Sequence, residues 1–369
     1  MTSNDIVKRP TVLADGRELI YFDDADTTLA PERTADARHL DPRPATAIMR
    51  QDVLTGEWIS IAAARQNRAF LPPADQDPLA PTTPSNPSEV PSNYDVAVFE
   101  NRSPSFGPAL GGEGAPAGLA DLSEVGLGRS FTSIGRCEVV CFSPQHEGSF
   151  GSLTPSRART VIEAWADRTA ALSAMPGIQQ VFPFENRGEE IGVTLQHPHG
   201  QIYAYPYVTP RTTRLLESIG KVGPDLFEQI LQNERGSERV VLEGKNWTAY
   251  VPFAARWPIE VHMLPHRHIP DFAATNTEER DELATMYLRL LRGIDNLYDT
   301  PTPYIAAWHQ APVNVGRDEI RLMLQITSPR RAANKLKYLA GSEAAMGAFI
   351  GDVLPEQSAA FIREGISRA

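Results

Sequence analysis

The sequence is poor in cysteine and has no long apolar run. Only Cys137 and Cys141 occur among 369 residues. Two thiols build neither a disulfide framework nor a four-thiolate zinc site. No apolar stretch approaches the roughly 18 residues that a membrane helix needs. Residues 1–24 contain no apolar signal core, which predicts a cytoplasmic protein. Basic side chains are also in deficit, 35 Lys and Arg against 46 Asp and Glu, for a net charge of −11. Phosphate-backbone binding wants a basic face, so nucleic acid is excluded as the main partner. The acidic excess reads as solvated surface. With 41% hydrophobic and 22% charged residues, the chain has the makings of a soluble globular protein with a sizeable core. At about 150 residues per domain, it has length for two. Eight histidines make imidazole the first place to look for chemistry.

Residues 1–45 are polar and mixed in charge and read as an arm with one strand around Glu18–Phe22. Residues 71–95 carry seven prolines, an extended segment that is ordered only if something docks it. The remainder shows a weak internal repeat, with units at 46–210 and 211–369. In the first, a strand at 136–142 leads through Pro144 to His146, followed by a helix after Thr154-Pro155 and strands at 178–184 and 197–204. In the second, strands at 247–251 and 260–264 lead through Pro265 to His266 and His268. A helix near 277–298 and strands at 304–309 and 321–326 follow. Strands, a Pro–His turn, a helix and two strands in each unit predict an α+β fold: two tandem units, each an antiparallel sheet with helices packed on it.

The sharpest feature is Gln196-His197-Pro198-His199-Gly200-Gln201-Ile202-Tyr203. On a strand, alternate residues share a face, which would align His197, His199 and Gln201. Two imidazoles and a carboxamide make a face suited to a phosphate. An imidazole nitrogen can attack phosphorus to form a phosphoramidate, and the Gln201 amide could hold a phosphoryl oxygen. A lone histidine on a strand is more often structural; two flanking a proline, with Gly-Gln behind, are harder to dismiss. His-x-His also suits a metal pair, with further ligands from elsewhere.

His197-Pro-His-Gly-Gln201, preceded by Glu185-Asn-Arg-Gly188 and Ile191-Gly-Val-Thr194, resembles the galactose-1-phosphate uridylyltransferase family of the histidine triad superfamily. Supporting segments are Leu54-Thr-Gly-Glu-Trp58, Arg65 with Arg68, Val98-Phe-Glu-Asn-Arg102, Cys141–His146, Trp257–Glu260, Trp308–Pro312 and Lys337-Tyr338 through Glu343. The resemblance spans roughly residues 46–350. It implies a double displacement in which UMP passes from UDP-glucose to a histidine and then to galactose 1-phosphate. By motif position His199 is the nucleophile, Gln201 binds the transferred phosphoryl group and His197 orients the nucleophile. Asn186, Gly192, Val193 and Thr194 match contacts to nucleotide and phosphates. Phe99, Asn101 and Arg102 match the uridine site. Lys337, Tyr338 and Glu343 match the hexose-contacting tail. Arg65 belongs to the matching substrate-binding set, and Arg68 matches an arginine that reaches the partner's site, which implies a homodimer.

The sequence departs from the family at its metals. A Cys-x-x-Cys pair often completes a zinc site with two histidines; here its place reads Asp77-Pro-Leu-Ala80, beside His146 and His197. The expectation is that no zinc is bound and no cofactor is needed. A second family metal site keeps only His309, because its histidine pair reads Met323-Leu-Gln325. Two further readings stand beside uridylyl transfer to a hexose 1-phosphate. One is a phosphorylase or hydrolase of the same superfamily, or a specialised paralogue using another sugar phosphate or nucleotide. The other is a nucleotide-sugar-binding protein without turnover, against which the intact motif speaks.

Overall fold

The computed structural model describes residues 5–63, 71–108, 121–125 and 127–369. A hairpin of β1 (Val7–Val12) and β2 (Glu18–Asp23) opens the chain. There follow β3 (Ile48–Gln51), β4 (Trp58–Ile61), β5 (Val96–Glu100), β6 (Asp121–Val125), β7 (Gly128–Thr132) and β8 (Arg136–Cys141). Helix α1 (Pro155–Ser173) precedes β9 (Gln180–Arg187) and β10 (His199–Tyr205). The second half contains α2 (Pro210–Val222), α3 (Leu226–Arg235), β11 (Val240–Glu243), β12 (Trp247–Tyr250) and β13 (Ile259–Pro265). It continues through α4 (Thr277–Asp295), β14 (Tyr304–His309) and β15 (Met323–Ser328). The chain closes with β16 (Arg330–Ala332), β17 (Lys335–Leu336), α5 (Gly341–Met346) and α6 (Pro355–Ser367).

Eleven strands form one sheet in the order β1-β2-β5-β8-β10-β9-β14-β15-β13-β12-β11. Every neighbouring pair is antiparallel. The α+β class read from the sequence is therefore the class observed. From the central β9–β14 pair the strand order runs outward alike on both sides: β9-β10-β8-β5 and β14-β15-β13-β12. This places β15, with Met323 and Gln325, at the position in the second half that β10, with His199 and Gln201, holds in the first.

The helix starts follow from local chemistry. Thr154 caps α1 by accepting from the Arg157 N–H, with Pro155 at the first helical position. Asn276 and Glu279 form a capping box on α4. Helices α1 and α4 pack on each other and, with α6, on one face of the sheet. Their core holds Phe150, Trp165, Phe272, Tyr287 and Trp308, with Phe150 stacked on Trp165 at 5.6 Å.

The N-terminal segment differs from the polar arm with one strand that its composition suggests. It contributes two strands to the sheet edge, and Leu19, Ile20, Tyr21 and Phe22 are all buried. Strand β2 is covered on both faces, so it reads as a continuous apolar run rather than an alternating one. Ile20 and Phe22 meet the helical core, while Leu19 and Tyr21 meet a second core with Leu79, Val90, Tyr94 and Phe99. Docking on that second core orders the Pro-rich segment.

The face opposite α1 and α4 has three separate covers. The Pro-rich segment lies over the N-terminal strands. A four-stranded sheet, β4-β3-β7-β6, packs Met49, Trp58 and Phe131 against Phe106, Tyr203 and Tyr205. Helices α2 and α3 cover the second half through Ile219, Phe227 and Leu231. Among the described residues these covers leave cavities at the start of β10, and these hold the candidate site.

Candidate active site

His199, Gln201 and Tyr203 are half-buried and alternate along β10 with buried Gly200, Ile202 and Ala204. The strand's period of two thus sends His199 and Gln201 to the open face and the others into the helical core. Gly200 is required by packing: a Cβ there would lie 2.8 Å from Phe142 Cζ and 2.9 Å from the Phe184 carbonyl oxygen. The neighbour that comes close at Gly200 is therefore the adjacent strand.

His197 departs from the expected shared face. It lies in the bend before β10 and its ring is fully buried. Its Nδ1 is 2.6 Å from Asp77 Oδ2, and its Nε2 is 2.8 Å from the Ser143 carbonyl oxygen and 3.0 Å from Tyr94 Oη. What His197 presents to the site is its main-chain carbonyl, which accepts the Nδ1–H of His199 at 2.7 Å. That bond fixes the His199 tautomer and leaves the nucleophilic lone pair on Nε2.

Three cavities meet at His199. One of about 290 Å³ is lined by Arg17, Leu79, Glu89, Phe99, Asn101, Arg102, Val139 and Gln201. A second, of about 190 Å³, is lined by Phe184, Asn186, Gly192, Val193, Thr194 and Gln201. The third, about 760 Å³, is an open groove bordered by Asn186, Arg187, Val193, His197, Pro198 and Arg330. The Gln201 carboxamide makes no hydrogen bond with any described residue, which leaves it available to a ligand. Gly192 ends a short turn at φ +81°, a left-handed conformation that favours glycine. Asn101 Oδ1 accepts from the Ser103 N–H, and Arg102 donates to the Asp41 carbonyl.

The structure thus gathers Phe99, Asn101, Arg102, Asn186, Gly192, Val193, Thr194 and Gln201 around His199. Lys337, Tyr338 and Glu343 line none of these cavities. Lys337 is buried and donates to the Arg256 and Ile350 carbonyls, with Glu343 at 3.8 Å, while Tyr338 is 73% exposed. Arg65 and Arg68 lie outside the described residues. Arg17 and Glu89 were not foreseen. The Arg17 guanidinium is fully buried and bonds Asp15, Glu89 and the Glu100 carbonyl. It arrives by the pairing of β2 with β5, a long-range contact that leaves no local motif.

Beneath the groove, Tyr304 donates to Glu185 Oε1 at 3.0 Å. Burial, only partly offset by Tyr304 and Arg187, pushes the Glu185 carboxyl up to about 7. The folded protein therefore holds this proton more tightly than the unfolded chain does. Its contribution is complete below the unfolded value near 4.5 and is lost as pH rises through about 7, up to about 3 kcal/mol. Glu185→Gln is expected to raise Tm by several degrees at pH 8 and to leave it nearly unchanged at pH 4.5. Calorimetry at both values checks this; an equal shift at both would contradict it.

His309, Gln325, Glu260 and His262 form a polar chain. His309 Nε2 donates to Gln325 Oε1 at 3.0 Å, and Gln325 donates to Glu260 Oε1 at 2.7 Å. His262 Nε2 lies 3.1 Å from the same Glu260 oxygen. Burial opposes the Glu260 charge, but His262, the Arg256 N–H and Gln325 hold its carboxyl at about 2. Burial pushes His309 down to about 3, so this ring is neutral near pH 7.

This architecture is that of a uridylyltransferase. A solved structure of that description superposes with a TM-score of 0.75 at 29% identity, covering 87% of this chain and 99% of the other. An ADP-glucose phosphorylase from Arabidopsis thaliana shares the fold, at a TM-score of 0.64 and 22% identity over 86% of this chain and 98% of its own. Family models of galactose-1-phosphate uridyl transferase match here, the N-terminal domain over residues 39–209 and the C-terminal domain over 208–367. A galactose-1-phosphate uridylyltransferase of Streptomyces lividans is 42% identical over 97% of both chains. Its Thermotoga maritima counterpart is 34% identical over 86% of this chain and 98% of its own. The chain belongs to the galactose-1-phosphate uridylyltransferase family.

Proposed function

We propose that the protein moves UMP from UDP-glucose to a hexose 1-phosphate, with galactose 1-phosphate the acceptor, through a uridylyl group held on His199. The observation that carries this reading is the Nδ1–H bond from His199 to the His197 carbonyl, in a residue that lines all three cavities. In the first half-reaction Nε2 attacks the α-phosphorus, the P–N bond forms and the bond to the β-phosphate oxygen breaks. Glucose 1-phosphate leaves with that electron pair. In the second, a phosphate oxygen of galactose 1-phosphate attacks the same phosphorus and the P–N bond breaks. The leaving group is a phosphate already ionised near neutrality, so positioning and charge stabilisation carry the step.

The cavity of about 290 Å³, with Phe99, Val139 and Leu79 as apolar walls and Asn101 as a polar end, suits uridine. The cavity of about 190 Å³ beside Gln201, Asn186 and Thr194 suits the phosphates. The hexose takes the open groove, which one chain leaves wide. Tyr338 is exposed and lines none of the cavities at its own His199, which supports a homodimer in which it meets the partner's groove. No helix among the described residues is long and apolar enough to cross a membrane. Neither buried cysteine is in a disulfide, which accords with a reducing, cytoplasmic compartment.

An exchange assay tests the reading. Labelled glucose 1-phosphate should enter UDP-glucose with no second sugar phosphate present, because the first half-reaction reverses by itself. A phosphorylase or hydrolase would instead consume UDP-glucose with phosphate or water. Absence of exchange with such consumption would replace uridylyl transfer by that reading.

A further inference from the structure

We propose that the Asp77 carboxylate is a positioning residue that takes the place of a metal ion: it clamps the His146 and His197 rings and so holds the His197 carbonyl against His199. This rests on the uridylyl-transfer reading for its catalytic consequence. The bonded chain is continuous. Asp77 Oδ1 accepts from the Leu79 N–H at 2.9 Å, and Asn86 donates to the Asp77 carbonyl at 2.8 Å, so the acid is fixed in the docked Pro-rich segment. Asp77 Oδ2 receives Nδ1 of His197 at 2.6 Å and Nδ1 of His146 at 2.8 Å. On the far side of the His197 ring, Nε2 lies 2.8 Å from the Ser143 carbonyl oxygen and 3.0 Å from Tyr94 Oη. The Pro198 carbonyl accepts from the Phe142 N–H at 3.0 Å, which pins the bend itself. The His197 carbonyl then receives His199 Nδ1–H. Asp77 thus stands one residue away from the nucleophile's orienting bond.

The same three side chains invite a metal reading, since one atom from each lies within 4.8 Å of the others. Their geometry does not fit it. A tetrahedral zinc ion, with bonds of about 2.0–2.2 Å to N and O, keeps its ligand atoms a little over 3 Å apart. Separations of 2.6 and 2.8 Å are those of hydrogen bonds. Ala80 offers no ligand where the family often has a second cysteine. The Cys141 thiol near Tyr94 is fully buried, and burial holds it in the neutral form. A carboxylate between two ring N–H groups fulfils the ordering task without an ion.

Three proteins test this: wild type, Asp77→Asn, and the double variant Asp77→Cys with Ala80→Cys. Each is expressed with added zinc, desalted and assayed for zinc by mass spectrometry, for melting temperature and for single-turnover uptake of the uridylyl group from UDP-glucose. Wild type is expected to hold no zinc and to be indifferent to a chelator. Asp77→Asn keeps the shape but loses the charge. It should slow uptake about 10–100-fold while UDP-glucose affinity stays within about threefold. The double variant should bind one zinc per chain and regain most of the rate, a rescue that a mere loss of stability would not show. One zinc per wild-type chain, or an Asp77→Asn protein with unchanged uptake, would overturn the proposal. A wild type that takes up no uridylyl group would overturn the transfer reading instead, and zinc content would then decide the clamp alone.

Discussion

Replacing His199 by alanine is expected to lower kcat at least about 10⁴-fold, because it removes the imidazole nitrogen that bonds the phosphorus in the transfer reading. The loss should fall on kcat. Phe99, Asn101, Asn186 and Thr194, which line the two smaller cavities, are untouched, so UDP-glucose affinity should change little. His199 is half-buried on the open face of β10, so truncation opens no core cavity and Tm should move by a degree or two at most. Both half-reactions pass through the same nitrogen, and exchange and net transfer should therefore vanish together. Steady-state rates, exchange rates and a melting curve on one preparation check all three. Retained exchange would show that another group carries UMP.

Gln201→Ala should give the next largest effect, a fall in kcat of about 10²–10³-fold. Gln201 borders both smaller cavities beside His199, and its carboxamide has no described protein partner. An amide donor held on a strand can meet the negative charge that builds on the phosphoryl oxygens as phosphorus is attacked. That interaction strengthens in the transition state, so the loss belongs in kcat more than in KM. Gln201→Glu should be at least as damaging, since it places a negative charge against the same oxygens. Pre-steady-state measurement of glucose 1-phosphate release separates this from a binding defect. A loss confined to KM would reassign Gln201 to ground-state binding.

The catalytic strand was legible because its chemistry follows a local rule. A period of two puts His199 and Gln201 on one face, and β10 obeys it. The same rule failed one turn of chain earlier. The strand begins at His199, so His197 sits in a bend and points its ring into the interior. The bend depends on the Phe142–Pro198 bond to β8, which no local pattern encodes. The helices at 155–173 and 277–295 carry clear caps and periodic apolar positions and were readable. Helices α2, α3 and α6 were not. They belong to the cover of the second half and to the chain end, and α2 and α6 start at Pro210 and Pro355 without the side-chain cap bond that marks α1 and α4. Arg17 and Glu89 escaped for a different reason, since each reaches the cavity through strand pairing or docking across many residues. The departures from the family's metal-ligand pattern were legible as Asp77, Ala80, Met323 and Gln325. That Asp77 and Gln325 would each bridge two side chains could be known only from the folded arrangement.

The central claim is that UMP rests on His199. Its most direct test is to mix the wild-type protein with UDP-glucose labelled in the uridylyl part, quench in base, where phosphoramidates survive, and map the label by peptide mass spectrometry. One uridylyl group per chain is expected on the peptide containing His199, with released glucose 1-phosphate in equal amount and no label in His199→Ala. Label on another residue, or label that persists in His199→Ala, would contradict it.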